Sequence, residues 1–232
     1  MRRPGLILAL LALFVLAGRV GLPGARDATP TGTPVQAGAD FVLGRGDGPE
    51  GVVGLGEPER VAGLRFAPEV HPADRQVVLG AIGRTRPQAR RLIELVDGLT
   101  TVRVGPTGRR SVGQASAPGN RRYEILLDLA EVSSSTGPRG VDQLIIHELA
   151  HVVDFALVSD ALVGELDEGI PRGYSCEPGQ RTSACAPREE RFAETFAKWA
   201  RADVGHGLYI GYAVSPPASL ETWALPLARL AG

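Results

Sequence analysis

The chain has 232 residues, with 25 Lys and Arg against 26 Asp and Glu, and a formal net charge of −1. That balance excludes binding driven by bulk charge, because a protein that grips nucleic acid or an anionic membrane surface needs a clear basic excess. A hydrophobic share of 44% is enough for a globular core but not for a polytopic membrane protein.

Arg2 and Arg3 precede an uninterrupted apolar run from Leu6 to Ala17. Such a run matches the hydrophobic region of an export signal and is short for a membrane span, which needs about 20 residues. The expectation is a signal peptide or signal-anchor over residues 1–25, which makes the protein secreted or extracytoplasmic. Any membrane contact would then be limited to a retained N-terminal segment. Residues 26–63 are rich in Gly, Pro and Thr and read as a linker or pro-segment. Arg45-Gly46-Asp47 within them is a chance tripeptide of an Arg- and Gly-rich stretch.

The folded part is expected over 64–232. Ala73 to Ile82 and Gln88 to Val96 read as helices, the first opened by Pro72 and the second with an apolar face of Leu92, Ile93, Leu95 and Val96. Thr101 to Val104 and Tyr123 to Leu127 read as strands, with turn chemistry at Gly105-Pro106-Thr107-Gly108. Ser133 to Gly140 reads as a loop, followed by a helix that starts near Asp142. Glu165, Asp167 and Glu168 read as a solvated acidic loop, and Pro217 to Leu230 as a last helix. Helices, a few strands, then helices give an α+β class.

The chemistry lies in Leu144-Ile145-Ile146-His147-Glu148-Leu149-Ala150-His151-Val152-Val153-Asp154. This is H-E-x-x-H in an apolar setting. Four residues is just over one helical turn, so His147 and His151 project from one face and can hold one Zn²⁺. Glu148 lies about 100° round the helix, where a general base for a metal-activated water is needed. A catalytic zinc needs a third ligand. The metzincin solution fails, because Asp154 and Leu157 stand where its Gly and third His would be, and Met1 is the only Met. His71 and His206 are lone histidines, ordinary surface or core residues.

The remaining source is Glu189-Glu190-Arg191-Phe192-Ala193-Glu194-Thr195-Phe196-Ala197-Lys198-Trp199. Glu190 and Glu194 share a helix face with Ala193 and Ala197, small residues that permit close approach to the H-E-x-x-H helix. Phe192, Phe196 and Trp199 point the other way. One glutamate would bind the metal while the other accepts a hydrogen bond from a ligand histidine. Spacing does not choose between them.

H-E-x-x-H-x-V-D followed by E-x-F-A-E-x-F on a second helix resembles the catalytic domains of the lethal-factor-like peptidases, the relatives of anthrax lethal factor. The likeness covers about Val141 to Trp199, and the second motif is its more specific part. It implies a zincin-like metalloprotease domain with a small sheet and an active-site helix. It also implies a gluzincin ligand set of His147, His151 and Glu190 around one zinc per chain, with Glu194 and Asp154 behind the ligands. The substrate it implies is a peptide or protein. The family places a Tyr shortly before the third ligand, near the metal, where it assists catalysis. Strict spacing puts Ser183 there, and Tyr174 takes the role if Cys176 to Cys185 is an inserted loop. In an exported chain those two cysteines are expected to form a disulfide. The expectation is an exported zinc endopeptidase. The alternatives are a non-catalytic exported zinc-binding domain and a metal hydrolase acting on a non-peptide amide.

Overall fold

The computed structural model describes residues 59–61, 63–108, 111–171, 186–204 and 214–232. The expected export signal, most of the linker, Tyr174, Ser183, Cys176, Cys185 and His206 lie outside the described residues. Everything described belongs to one unit, Val35–Gly232.

Five strands form one sheet: β1 (Glu59–Val61), β2 (Leu64–Phe66), β3 (Thr100–Val104), β4 (Gly113–Gly119) and β5 (Arg122–Leu127), in the order β1-β2-β3-β5-β4. The three inner strands run parallel, and β1 and β4 pair antiparallel at the two sides. The inner strands alternate as a half-buried sheet requires, turning Leu64, Phe66, Val102, Ile125 and Leu127 into the core. β1 lies within the stretch that reads as linker in the sequence, so the sheet begins before Leu64.

The sequence gives no sign of β4. Its residues, Gly-Gln-Ala-Ser-Ala-Pro-Gly, include no β-branched or aromatic side chain. Pairing with β5 makes it a strand. The connecting turn has Asn120 and Arg121 both at positive φ, the two-residue hairpin geometry whose twist suits the flanking strands.

Helices α1 (Pro72–Gly83) and α2 (Pro87–Val96) fill the crossover between β2 and β3, each with proline in its first turn. His71 caps α1, its Nδ1 accepting from the Ala73 N–H at 3.2 Å, an ordinary structural role. Helix α3 (Leu129–Leu157) overturns the expected loop at 133–140. Helix continues through that stretch except at Gly137 (φ 68°, ψ −170°), ahead of Pro138. Proline disfavours a helical residue before it, and glycine tolerates positive φ, so the helix breaks at one residue and resumes with proline in its first turn. Asp142 is accordingly not a cap. It pairs with Arg84 at 2.6 and 2.9 Å.

The expected acidic loop is also corrected. Glu165, Asp167 and Glu168 lie on helix α4 (Asp160–Glu168), and Asp167 is buried. Helix α5 (Arg188–Arg201) follows, and the expected last helix is two short ones, α6 (Leu220–Trp223) and α7 (Leu225–Leu230). The class is α+β. Among the described residues no helix is long and apolar enough to cross a membrane.

Candidate metal centre

The second half of α3 is buried on almost every side from Val141 to Asp154. It packs against α5, where Ala193 and Ala197 are fully buried in the seam, as their size suggests. The aromatic face of α5 forms a separate layer. Phe192 lies 6.0 Å from Trp223 of α6, and Arg86 stacks over Trp199 at 5.1 Å.

Two stripes of i, i+4 residues meet in the α3–α5 seam. On α3 they are Gln143, His147 and His151; on α5 they are Glu190, Glu194 and Lys198. The helices are antiparallel, so the stripes pair in reverse order. His151 Nε2 faces Glu190 Oε1 at 3.5 Å, and His147 Nε2 faces Glu190 Oε2 at 3.1 Å. His147 Nδ1 lies 3.3 Å from Glu194 Oε2, and Gln143 Nε2 donates to the same oxygen at 3.2 Å. Arg201 then donates to Gln143 Oε1 at 2.9 Å. Lys198, the only lysine of the chain, pairs with Glu194 Oε1 at 3.3 Å and donates to the Val214 carbonyl.

This geometry separates the roles of the two glutamates that spacing left open. Glu190 reaches both Nε2 atoms, and Glu194 stands behind His147. With its proton on Nδ1, His147 donates to Glu194 and leaves the Nε2 lone pair facing His151 and Glu190. One ligand atom from each of His147, His151 and Glu190 lies within 4.8 Å of the others. Zinc bonds of about 2.0–2.1 Å in a tetrahedron put neighbouring ligand atoms about 3.3 Å apart. Glu190 meets His147 Nε2 through Oε2 at 3.1 Å and His151 Nε2 through its other oxygen, Oε1, at 3.5 Å, each near that edge length. Two imidazoles and a carboxylate are also a donor set that suits zinc.

Glu148 completes the group. It is 1% exposed, and its Oε2 has no hydrogen-bond partner among the described residues. An orphaned buried carboxylate oxygen is costly, and sites that keep one are functional candidates. Burial pushes the Glu148 carboxyl above its ordinary range, against the opposing pull of His147 and His151.

The other titrations indicate the sign of charge that the cluster favours. Burial works against an imidazolium at His147, but hydrogen bonds to Glu190 and Glu194 outweigh it and hold the ring well above its usual value. Burial likewise opposes ionisation of Glu190, and hydrogen bonding to the two histidines overrides it, bringing the carboxyl down to about 2. Glu194 is lowered for the same reason, through His147 and then Lys198. All three shifts favour positive charge between the imidazoles and the two glutamates. A proton can supply it, and His147, His151 and Glu190 could also hold a metal ion there.

Asp154 is buried near the site, its carboxyl raised to about 6 by burial while the His151 charge pulls the other way. On the far side of α5, Arg191 donates to both Asp167 oxygens at 2.8 and 2.7 Å and to the Ala186 carbonyl at 2.6 Å. That buried clamp ties α4 to the first turn of α5, next to Glu190. Gln143, Lys198, Arg201 and the Asp167–Arg191 pair are residues that sequence reasoning missed. Extending the i, i+4 stripes one step, back from His147 and on from Glu194, would have found Gln143 and Lys198.

His147, His151 and Glu190 form a group that could hold a metal ion, with the buried Glu148 carboxylate beside it. Compared with protein-family models, with curated proteins and with solved structures, the chain matches none.

Proposed function

We propose that this protein is an exported zinc-dependent endopeptidase with a zincin-like, gluzincin-type catalytic domain. The observation that carries the reading is the convergence of His147 Nε2, His151 Nε2 and the Glu190 carboxylate beside the partnerless Oε2 of Glu148. His147, His151 and Glu190 would hold the ion. When bound, zinc supplies Lewis acidity that lowers the pKa of water and polarises a carbonyl.

The chain's own groups do the rest. Glu148 accepts the proton of the attacking water at its carboxylate and returns it to the leaving amine. Burial raises its proton affinity toward the operating range, which favours both halves of that transfer. Glu194 accepts a hydrogen bond from the Nδ1–H of His147 and so fixes the ring that faces Glu190. Gln143 and Lys198 hold the two Glu194 oxygens in turn.

A peptide substrate is supported by β4. It is one of the two outer strands of the described sheet, and its first residue lies against Glu148. Its outer side pairs with no other strand among the described residues, and such an edge offers backbone donors and acceptors to an extended chain without reading its side chains.

The test is zinc stoichiometry on the full chain, with cleavage of a quenched-fluorescence peptide library by wild type and Glu148→Gln. Zinc-dependent cleavage that Glu148→Gln abolishes with zinc retained is the expected result. Zinc bound with no peptide cleaved would favour a non-catalytic zinc domain or a non-peptide amide as substrate.

A further inference from the structure

Gly113 opens β4 and is buried. A Cβ built on it would lie 2.2 Å from Glu148 Oε1, 2.7 Å from Glu148 Cδ and 2.6 Å from Leu144 Cδ1. Carbon contacts at rest are about 3.5–4.0 Å, so all three are deep overlaps. The backbone does not explain the glycine, because its φ is not in the positive region that favours glycine. Gly119, at the other end of the strand, has a φ of +114° and open space around it. Glycine weakens a strand interior, so alanine at position 113 should by default stabilise it. The contact with Glu148 reverses that expectation.

We propose that Gly113 is a positioning residue for Glu148: only a residue without a side chain lets β4 seat the carboxylate beside the His147–His151–Glu190 cluster. This deepens the peptidase reading and rests on it for the role of Glu148. The strand cannot step aside to admit a side chain. Gly113 is paired with Leu127, and the residue before it accepts the Asp128 N–H at 2.8 Å. Leu144 is wholly buried in the core. The Glu148 carboxylate, with one oxygen unpartnered, is the group with least to hold it. An added methyl therefore displaces the base rather than the strand or the helix.

The experiment compares wild type, Gly113→Ala, Glu148→Ala and the double variant, each as the full zinc-loaded chain. Zinc content, thermal midpoint and peptide-library kinetics are measured. Gly113→Ala should keep its zinc and lose about 100-fold in kcat, with KM changed less than about threefold. Its thermal midpoint should fall by about 5 °C in the wild-type background, and by less than about 2 °C when Glu148 is already alanine. An equal fall in both backgrounds overturns the proposal, because the clash is then with Leu144. Wild-type kcat in Gly113→Ala also overturns it. If Gly113→Ala fails to fold, folding of the double variant supports the proposal and its failure overturns it. If wild type cleaves no peptide, the peptidase reading falls, and coupling of the midpoints still decides whether Gly113 seats Glu148.

Discussion

On its α5 side, α3 sets Gln143, His147 and His151 against Glu190, Glu194 and Arg201, and the partners form a ladder reaching Lys198 and Val214. On its β4 side it sets Glu148 against a glycine, and one carboxylate oxygen has no hydrogen-bond partner among the described residues. Both sides are buried, so solvent does not explain the difference. Most polar atoms on the α5 side have partners, and such a network rigidifies what it holds, whereas Glu148 Oε2, and on the α5 side Glu190 Oε1 facing His151 Nε2 at 3.5 Å, lack a hydrogen-bond partner among the described residues and are retained at a cost in stability. The α5 side therefore has the character of a scaffold for ligands, and the β4 side that of a reactive group kept ready. Substitutions on the two sides should separate activity from stability.

The largest effect is expected from Glu148→Gln, a fall in kcat of about 10³–10⁴-fold with zinc retained. The thermal midpoint should hold or rise, because a neutral amide relieves a buried unpaired carboxylate. A lower midpoint would break the contrast between the two sides. Glu190→Ala should instead cost stability in the metal-free chain, by about 3–5 kcal/mol, since it leaves two buried imidazoles without their carboxylate. Urea unfolding in chelator measures it, and zinc should be lost on dialysis. Glu194→Gln comes next. It keeps the shape of the side chain but weakens the anchor on His147, lowering zinc affinity about 10–100-fold by competition with a chromophoric chelator.

The pH response sharpens the same contrast. His147 has a raised pKa in the metal-free fold, so its stabilising contribution is fully present below about 6.5 and is lost as pH rises through the higher native value. Glu190 has the opposite sign: its contribution is present above its ordinary 4.5 and is lost as pH falls toward about 2. Because the His147 proton competes with zinc, zinc affinity should climb with pH until the raised His147 value is passed. A chelator titration across neutral pH would show a flat response if that competition is absent. The smallest effect is expected at Asp154. Its carboxyl titrates at about 6 against 3.8 when unperturbed, so ionisation is a burden that grows from about pH 4 and is complete above about pH 6. Asp154→Asn should stabilise the metal-free chain by about 1 kcal/mol above pH 6 and by progressively less below it. Thermal midpoints across pH 4–8 provide the check.

Local rules were enough for the elements whose own residues decide them. Pro72 begins a helix, Leu92, Ile93 and Val96 of the expected α2 face are buried while Leu95 is exposed, and the alternation in Tyr123 to Leu127 belongs to a strand. Where partners decide, those rules failed. The stretch 133–140 has a loop's composition but is helix on both sides of Gly137. Asp167 reads as solvated yet is buried, because Arg191 reaches it from a helix 24 residues away in sequence. β4 has the composition of a turn and is a strand only through β5.

The amino-acid sequence by itself determined the chemistry on offer. The spacing of His147, Glu148 and His151, and of Glu190 and Glu194, follows from the pitch of one helix and needs no knowledge of the fold. Spacing left open which glutamate meets both imidazoles and which stands behind His147; the family likeness implies a choice, and the tertiary structure places Glu190 and Glu194 accordingly. That choice depends on the register between two antiparallel helices, and no local periodicity encodes it. It also decided the place of Gly113, whose significance lies in the contact its missing side chain permits.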